Sequence, residues 1–200
     1  MAFIGITGGI GTGKSTVSSI IRQKYSFPII DADELSRAAS KSIEAKEGIR
    51  AAFGSIAFDG DDVDRKALAD IVFSNEESRK TLESIIHPIV ARQAAEMKAE
   101  LEAEGNKIIF YDVPLLFEAG LEGDVDKTIL VYSSNDIAAQ RLVDYRGMDI
   151  ADATRRIKSQ MDIDEKASKA DIIVYNDSSI ADLEGIVVFA IDMLIQEYGA

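Results

Sequence analysis

Short apolar runs alternate with stretches of helical period along most of this chain. The runs at 3–6, 27–30, 108–111, 128–131 and 172–175 read as strands. After the first of them, Val17, Ile20, Ile21 and Tyr25 recur at helical spacing. Continuous apolar strands alternating with helices predict an α/β fold, a five-stranded parallel sheet covered by helices on both faces. Crossovers in such a sheet are right-handed, and ligands bind at the carboxyl ends of its strands.

The stretch between the second and third runs is too long for a simple crossover. It reads as a helical insertion over 32–106. Ser74-Asn75-Glu76-Glu77 has the form of a capping box, with Ser74 as N-cap and Glu77 at the reciprocal place. The helix it opens carries Leu82, Ile85 and Ile86 on one face. Pro88 should interrupt it, because proline removes a donor and clashes with the preceding turn. A further helix should run to about Glu104 and stop at Gly105-Asn106. A second, shorter insertion spans 144–170, and an amphipathic helix over 180–198 closes the chain. One domain is therefore expected, with its core at 1–31, 107–143 and 171–200. No repeats, low-complexity segments or linkers stand out.

Composition narrows the setting. The chain has 200 residues and no cysteine, so it has no disulfide, thiolate metal site or cysteine nucleophile. No basic and apolar leader opens it, and no apolar run approaches the length of a membrane span. A cytoplasmic location is the expectation. The net charge of −13 argues against a general nucleic-acid or anionic-membrane surface. It does not exclude a polyphosphate, which local groups hold.

Candidate chemistry starts directly after the first strand. Gly8-Gly9-Ile10-Gly11-Thr12-Gly13-Lys14-Ser15 fits the phosphate-loop pattern G-x-x-x-x-G-K-[ST]. Glycines let the backbone close on a phosphate, and the freed N–H groups with the next helix N-terminus attract an anion. Lys14 can reach the β- and γ-phosphates, and Ser15 can offer its hydroxyl to Mg²⁺. The strand–loop–helix setting is the one the motif requires. It points to a P-loop NTPase fold in three layers.

Other positions are more open. Asp33, in Asp31-Ala32-Asp33 after the second strand, could accept a proton from an attacking hydroxyl; either aspartate could instead cap the next helix. Asp112 ends the third strand where P-loop proteins place an acid, and Val113 follows it rather than a second carboxylate. That favours transfer to an acceptor over hydrolysis. The cluster Arg141, Arg146, Arg155, Arg156 and Lys158 suits a phosphoryl-transfer lid, or a solvated face paired with Asp144, Asp149 and Asp152. His87, the only histidine, is no zinc ligand, and its place beside Pro88 favours packing.

Together these pieces resemble the dephospho-coenzyme A kinase family over nearly the whole chain. The resemblance rests on the phosphate loop with Thr7, on Asp31-Ala32-Asp33 with Arg37, and on Arg65, Leu68, Val72 and Phe73. It continues through Leu82-Glu83, Ile86-His87-Pro88 and Asp112-Val113-Pro114-Leu115-Leu116-Phe117-Glu118. Arg141-Leu142, Arg156-Ile157 with Gln160, Ala170-Asp171 and Asn176 complete it. It implies transfer of the ATP γ-phosphoryl to the ribose 3′-hydroxyl of dephospho-CoA, with Mg²⁺ on Ser15. Asp33 matches the general base, with Lys14 and Arg141 as its catalytic companions. Gly9, Gly11, Thr12, Gly13, Lys14, Ser15, Thr16, Arg141 and Asn176 match the ATP side, with Asn176 at the base. Thr7, Asp33, Arg37, Arg65, His87, Asp112, Leu115 and Leu116 match the acceptor side. Arg146 and Arg156 belong to the lid, and a surface near Phe73, Ile86 and Leu116 would meet the pantetheine arm. The family's second lid arginine falls here on Tyr145, with Arg146 beside it. The expected state is a monomer or weak homo-oligomer without nucleic-acid or membrane partners.

Two other readings fit the loop alone. One is a P-loop kinase for another small molecule, a nucleoside or nucleotide. The other is a nucleotide-dependent switch; Asn106-Lys107-Ile108-Ile109 lacks the aspartate of a guanine motif, which weakens it.

Overall fold

The computed structural model describes residues 1–199, without the side chain of Phe73. Strand β1 (Ala2–Gly8) is buried at every residue, and so is β5 (Ile108–Asp112). With β2 (Ile29–Asp31), β6 (Lys127–Tyr132) and β7 (Ile172–Tyr175) they form a five-stranded sheet in the order β2-β5-β1-β6-β7. β1 pairs in parallel with β5 on one side and β6 on the other. Such unbroken apolar strands have helices on both faces, which leaves no polar-facing side. The chain leaves β1 for one edge, returns through β5 and crosses to β6. That change of direction puts a crevice at the carboxyl end of β1.

Two compact units emerge, one of residues 1–30 and 100–200, the other of residues 31–99. In the first, Ile4, Ile6, Phe110, Ile129 and Val131 of the sheet pack with Val17 and Ile21 of α1 (Lys14–Tyr25). Val187, Ile191 and Leu194 of α9 (Ile180–Tyr198) join the same core. The helices α6 (Asn135–Arg146), α7 (Ile150–Lys158) and α8 (Ile163–Lys169) lie between β6 and β7 in the chain. α6 stops at Gly147, whose φ of 63° few other residues tolerate.

The second unit holds α2 (Ala32–Ala39), α3 (Ile43–Phe53), α4 (Arg65–Ser74) and most of α5 (Glu76–Ala103). Its core has two parts: Ala39, Ala45, Ile86, Ile89 and Val90 in one, and Ile49, Ala57 and Leu68 in the other. A hairpin of β3 (Phe58–Asp59) and β4 (Asp62–Val63) joins α3 to α4. Strands of two residues carry no periodicity, so the sequence did not announce them.

Three local expectations are corrected. The strand expected at 27–30 begins at Ile29, because Pro28 cannot donate and Phe27 turns to stack on Tyr25, 5.8 Å between ring centroids. Ser74 is not the cap of α5. It ends α4, and Asn75 Oδ1 instead accepts from the N–H groups of Glu77 at 2.8 Å and Ser78 at 3.1 Å. Nor does Pro88 break the helix: α5 runs through it. An internal proline costs about 3 kcal/mol. Burial of an isoleucine returns ~1.5–3 kcal/mol, and Ile86 and Ile89 are buried on either side of Pro88. Among the described residues no helix is long and apolar enough to cross a membrane.

Candidate active site

The loop from Gly8 to Gly13 leaves β1 at the centre of the sheet and ends in α1. Gly11 and Gly13 have φ of 83° and 90°, the left-handed region that glycine enters freely. A Cβ on Gly11 would lie 2.6 Å from the Ala138 carbonyl oxygen, and one on Gly13 would strike Asn176 Nδ2. Thr12 closes the loop on itself, since its N–H and hydroxyl both donate to the Gly9 carbonyl, at 3.2 and 2.8 Å.

The start of α1 differs from every other α-helix start among the described residues. Asp31, Ser42, Asp64, Asn75, Ser134, Asp149, Asp162 and Ser179 each cap a helix with a side-chain oxygen. Gly13 caps α1 with none, and no acidic residue lies in its first turn. The first N–H groups of this helix are thus left for a ligand, at the end where the helix dipole favours an anion.

Lys14 Nζ pairs with Asp112 Oδ1, and Ser18 Oγ donates to Asp112 Oδ2 at 2.6 Å. Asp112 is 4% exposed, so its charge is matched inside the site rather than by water. Ser15 is exposed and its hydroxyl makes no bond within the described residues. Thr7 is fully buried and donates to the Pro114 carbonyl at 3.0 Å, which ties β1 to the segment after β5. Of the two leucines there, Leu115 is exposed. Leu116 is fully buried beneath Gly5, which makes it a packing residue instead of part of a binding surface.

Asn176 is buried, and its Nδ2 donates to the Thr12 carbonyl at 2.7 Å. It supports the loop. Arg141 reaches Ser133 Oγ at 3.3 Å and Asn176 Oδ1 at 3.5 Å. Ser133 donates to Asp177 at 2.8 Å, so β6, β7 and α6 meet in one polar network under the loop. On the other side Gln160 Oε1 accepts from the Ile10 N–H at 2.8 Å. The motif scan gave Gln160 no role; its contact links residues 150 positions apart.

The arginine cluster divides. Arg141 faces the network. Arg155 and Arg156 both pair with Asp152 on α7, the solvated arrangement. Arg146 and Tyr145 are exposed, Tyr145 at 84%. In the same unit the Tyr132 hydroxyl is pushed up to about 12, first by its hydrogen bond to Asp164 and then by burial. It is a donor at neutral pH, not a base.

In the second unit Asp31 carries the cap of α2, accepting from the Glu34 N–H at 3.0 Å. Asp33 is exposed and makes no hydrogen bond or ion pair among the described residues. The capping alternative therefore belongs to Asp31 alone. Arg37, Arg65 and His87 are exposed as well. His87 does not pack at Pro88, contrary to the expectation from spacing: Ile86 and Ile89 take the buried face of α5 and turn His87 outward. Phe73, named for the pantetheine surface, lies outside the described side chains.

Residues 2–182 match the family model described as dephospho-CoA kinase. This chain belongs to the dephospho-CoA kinase family. It is 43% identical to the dephospho-CoA kinase of Geobacillus kaustophilus over 88% of either chain. The crystal structure of TT1252 from Thermus thermophilus superposes with a TM-score of 0.83 at 34% identity, over 98% of this chain and 97% of that one. The dephospho-CoA kinase from Campylobacter jejuni gives a TM-score of 0.73 at 28% identity, over 98% of each chain. The expected P-loop kinase fold and the expected reaction both hold: ATP-dependent phosphorylation of dephospho-CoA, the final step of coenzyme A synthesis.

Proposed function

We propose that the reaction runs from the uncapped N-terminus of α1 to an acceptor presented by the 32–106 insertion. The missing cap carries this reading, because it leaves donors of the fixed loop unpaired at the one helix start in reach of Lys14. Within the Gly11–Thr16 stretch the backbone N–H groups of Gly11, Gly13, Lys14 and Ser15 cradle the phosphates. Lys14 shifts from Asp112 to the β- and γ-phosphates when ATP enters, and Asp112 with Ser18 keeps its carboxylate oriented. Asp33 takes the proton of the ribose 3′-hydroxyl as that oxygen bonds the γ-phosphorus and ADP leaves. Its support is that Asp31 frees it from capping. Arg37, Arg65 and His87 bind the acceptor, since each offers an exposed donor without an internal partner.

The donor set fits Mg²⁺, which takes few protein oxygens beside phosphates and waters. Ser15 would hold it, with an exposed hydroxyl that has no partner among the described residues. When bound, the ion neutralises charge on the phosphate oxygens. The segment 144–170 acts as the lid. Arg141 serves the nucleotide from below it, and Arg146 takes the place of the arginine replaced by Tyr145. Arg156 joins the phosphates on closure by leaving Asp152. The protein acts as a monomer or weak homo-oligomer in the cytoplasm.

The pure protein with Mg-ATP and a panel of dephospho-CoA, adenosine, cytidine and AMP tests the reading. ADP should form with dephospho-CoA, with coenzyme A as co-product. Equal ADP release without dephospho-CoA would sink it.

A further inference from the structure

The phosphate loop is built mostly of glycine, so an unsupported loop would be expensive to order. Fixing a backbone residue costs conformational entropy, and glycine loses the most freedom. The side chains that hold this loop come from far along the chain. On one shoulder Asn176 Nδ2 holds the Thr12 carbonyl at 2.7 Å. On the other, Gln160 Oε1 holds the Ile10 N–H at 2.8 Å. The side chain of Ile10 points the same way. It packs against Ala139 and Leu142 of α6 and Ala153 of α7, with Met148 and Ile157 around it. One loop residue is thus gripped twice by the α6–α8 segment, at its amide and at its side chain.

The turn that carries Gln160 is itself anchored. Glu118 Oε1 accepts from the Met161 N–H at 3.1 Å. The same oxygen lies 2.6 Å from Lys166 Nζ, which is fully buried on α8. The ammonium is off the line of an aligned hydrogen bond, so it is held by charge. Glu118 closes the segment that begins at Asp112, the partner of Lys14. The turn at 159–162 is therefore braced against the strand that carries the acid of the site. A cavity of about 170 Å³ lies beside it, lined by Gly9, Ile10, Thr12, Gln160 and Met161 among others.

We propose that Gln160 is a positioning residue for the phosphate loop, and that nucleotide occupancy and docking of the α7–α8 turn are coupled through Ile10. Gln160 touches no phosphate. It fixes the Gly9–Ile10 peptide plane at the entry to the glycine turn, so that the following N–H groups already face the crevice when ATP arrives. Coupling is reciprocal. Nucleotide that orders the loop must tighten the turn, and a turn that leaves must loosen nucleotide. The 144–170 segment then reports on the site through its root as well as closing over it.

The inference rests on the loop binding nucleotide, which ADP calorimetry on the unaltered protein tests by itself. The variant is Gln160→Met, which keeps length and bulk and removes the acceptor. ADP affinity should fall about five- to tenfold, as loss of one well-placed hydrogen bond implies. KM for ATP should rise by a similar factor while KM for dephospho-CoA stays unchanged. Hydrogen exchange of residues 159–162 should slow on ADP binding in the unaltered protein and not in the variant. A lowered melting temperature with ADP affinity within twofold overturns the proposal, because that is what mere scaffolding gives. If Gln160→Met does not fold, exchange of the Ile10 amide in the unaltered protein decides. Protection of about a hundredfold that deepens with ADP supports the clasp, and exchange at the free-peptide rate overturns it.

Discussion

The two units of this enzyme treat polar side chains in opposite ways. In the unit of residues 1–30 and 100–200, several polar side chains around the phosphate loop already have partners, though Ser15 does not. Lys14 lies on Asp112, Asn176 on Thr12, Gln160 on Ile10, and Arg141 on Ser133. In the unit of residues 31–99, the side chains of Asp33, Arg37, Arg65 and His87 stand exposed with no partner among the described residues. A glycine loop has no side chains of its own to hold it, so its order must come from neighbours. Helix-borne side chains already stand on an ordered backbone and need only their ligand. The loop is held in advance by its neighbours, while the four candidates of the other unit stand free for the roles proposed for them.

That contrast can be broken by substitution. Lys14→Ala should have the largest effect, removing charge where it develops in the transition state. Turnover should fall about a thousandfold. A coupled ADP assay checks it, and near-normal activity in a folded variant defeats the loop chemistry. Asp33→Asn comes next. Loss of a positioned base should lower kcat about a hundredfold. The melting temperature should not move, because Asp31 and not Asp33 carries the cap. Full activity would remove Asp33 from the chemistry. A loose transition state needs little help from a base, which is why this effect ranks below Lys14.

His87→Ala should act on one half only. KM for dephospho-CoA should rise about tenfold, the worth of a hydrogen bond to a charged group. KM for ATP should hold steady; a rise in it would place His87 on the nucleotide side instead. The smallest effect belongs to Asp31→Ala. Loss of an N-cap costs about 1 kcal/mol, a fall of roughly 2–4 °C in a chain of this size. Thermal melting reads it, and Asp31→Asn should restore it because asparagine caps as well.

Much of the loop was legible because its chemistry is local. Gly8, Gly13, Lys14 and Ser15 sit at set spacings that backbone geometry demands, and the flanking strand and helix show as apolar period. Asp33 and Asp112 were legible as candidates because each follows a strand. Which of Asp31 and Asp33 caps α2 was not. Two aspartates two apart look alike until the backbone shows which one meets an orphan N–H. His87 was misjudged from spacing because a proline inside a helix reads as a break. Burial of Ile86 and Ile89 carried α5 through it. Asn176 was legible as a candidate, and its hold on a carbonyl 164 positions away was not.

Sequence alone determined the succession of strands and helices along the chain, the phosphate loop and, through the full set of motifs, the reaction. These depend on residue type and on spacing within a few residues, which the backbone translates directly into shape. Only the tertiary structure decided which helix starts uncapped, which lysine rests on which acid and which glutamine holds Ile10. Such pairings link residues far apart in the chain. They are set by how the sheet orders its strands, and no local pattern encodes that order.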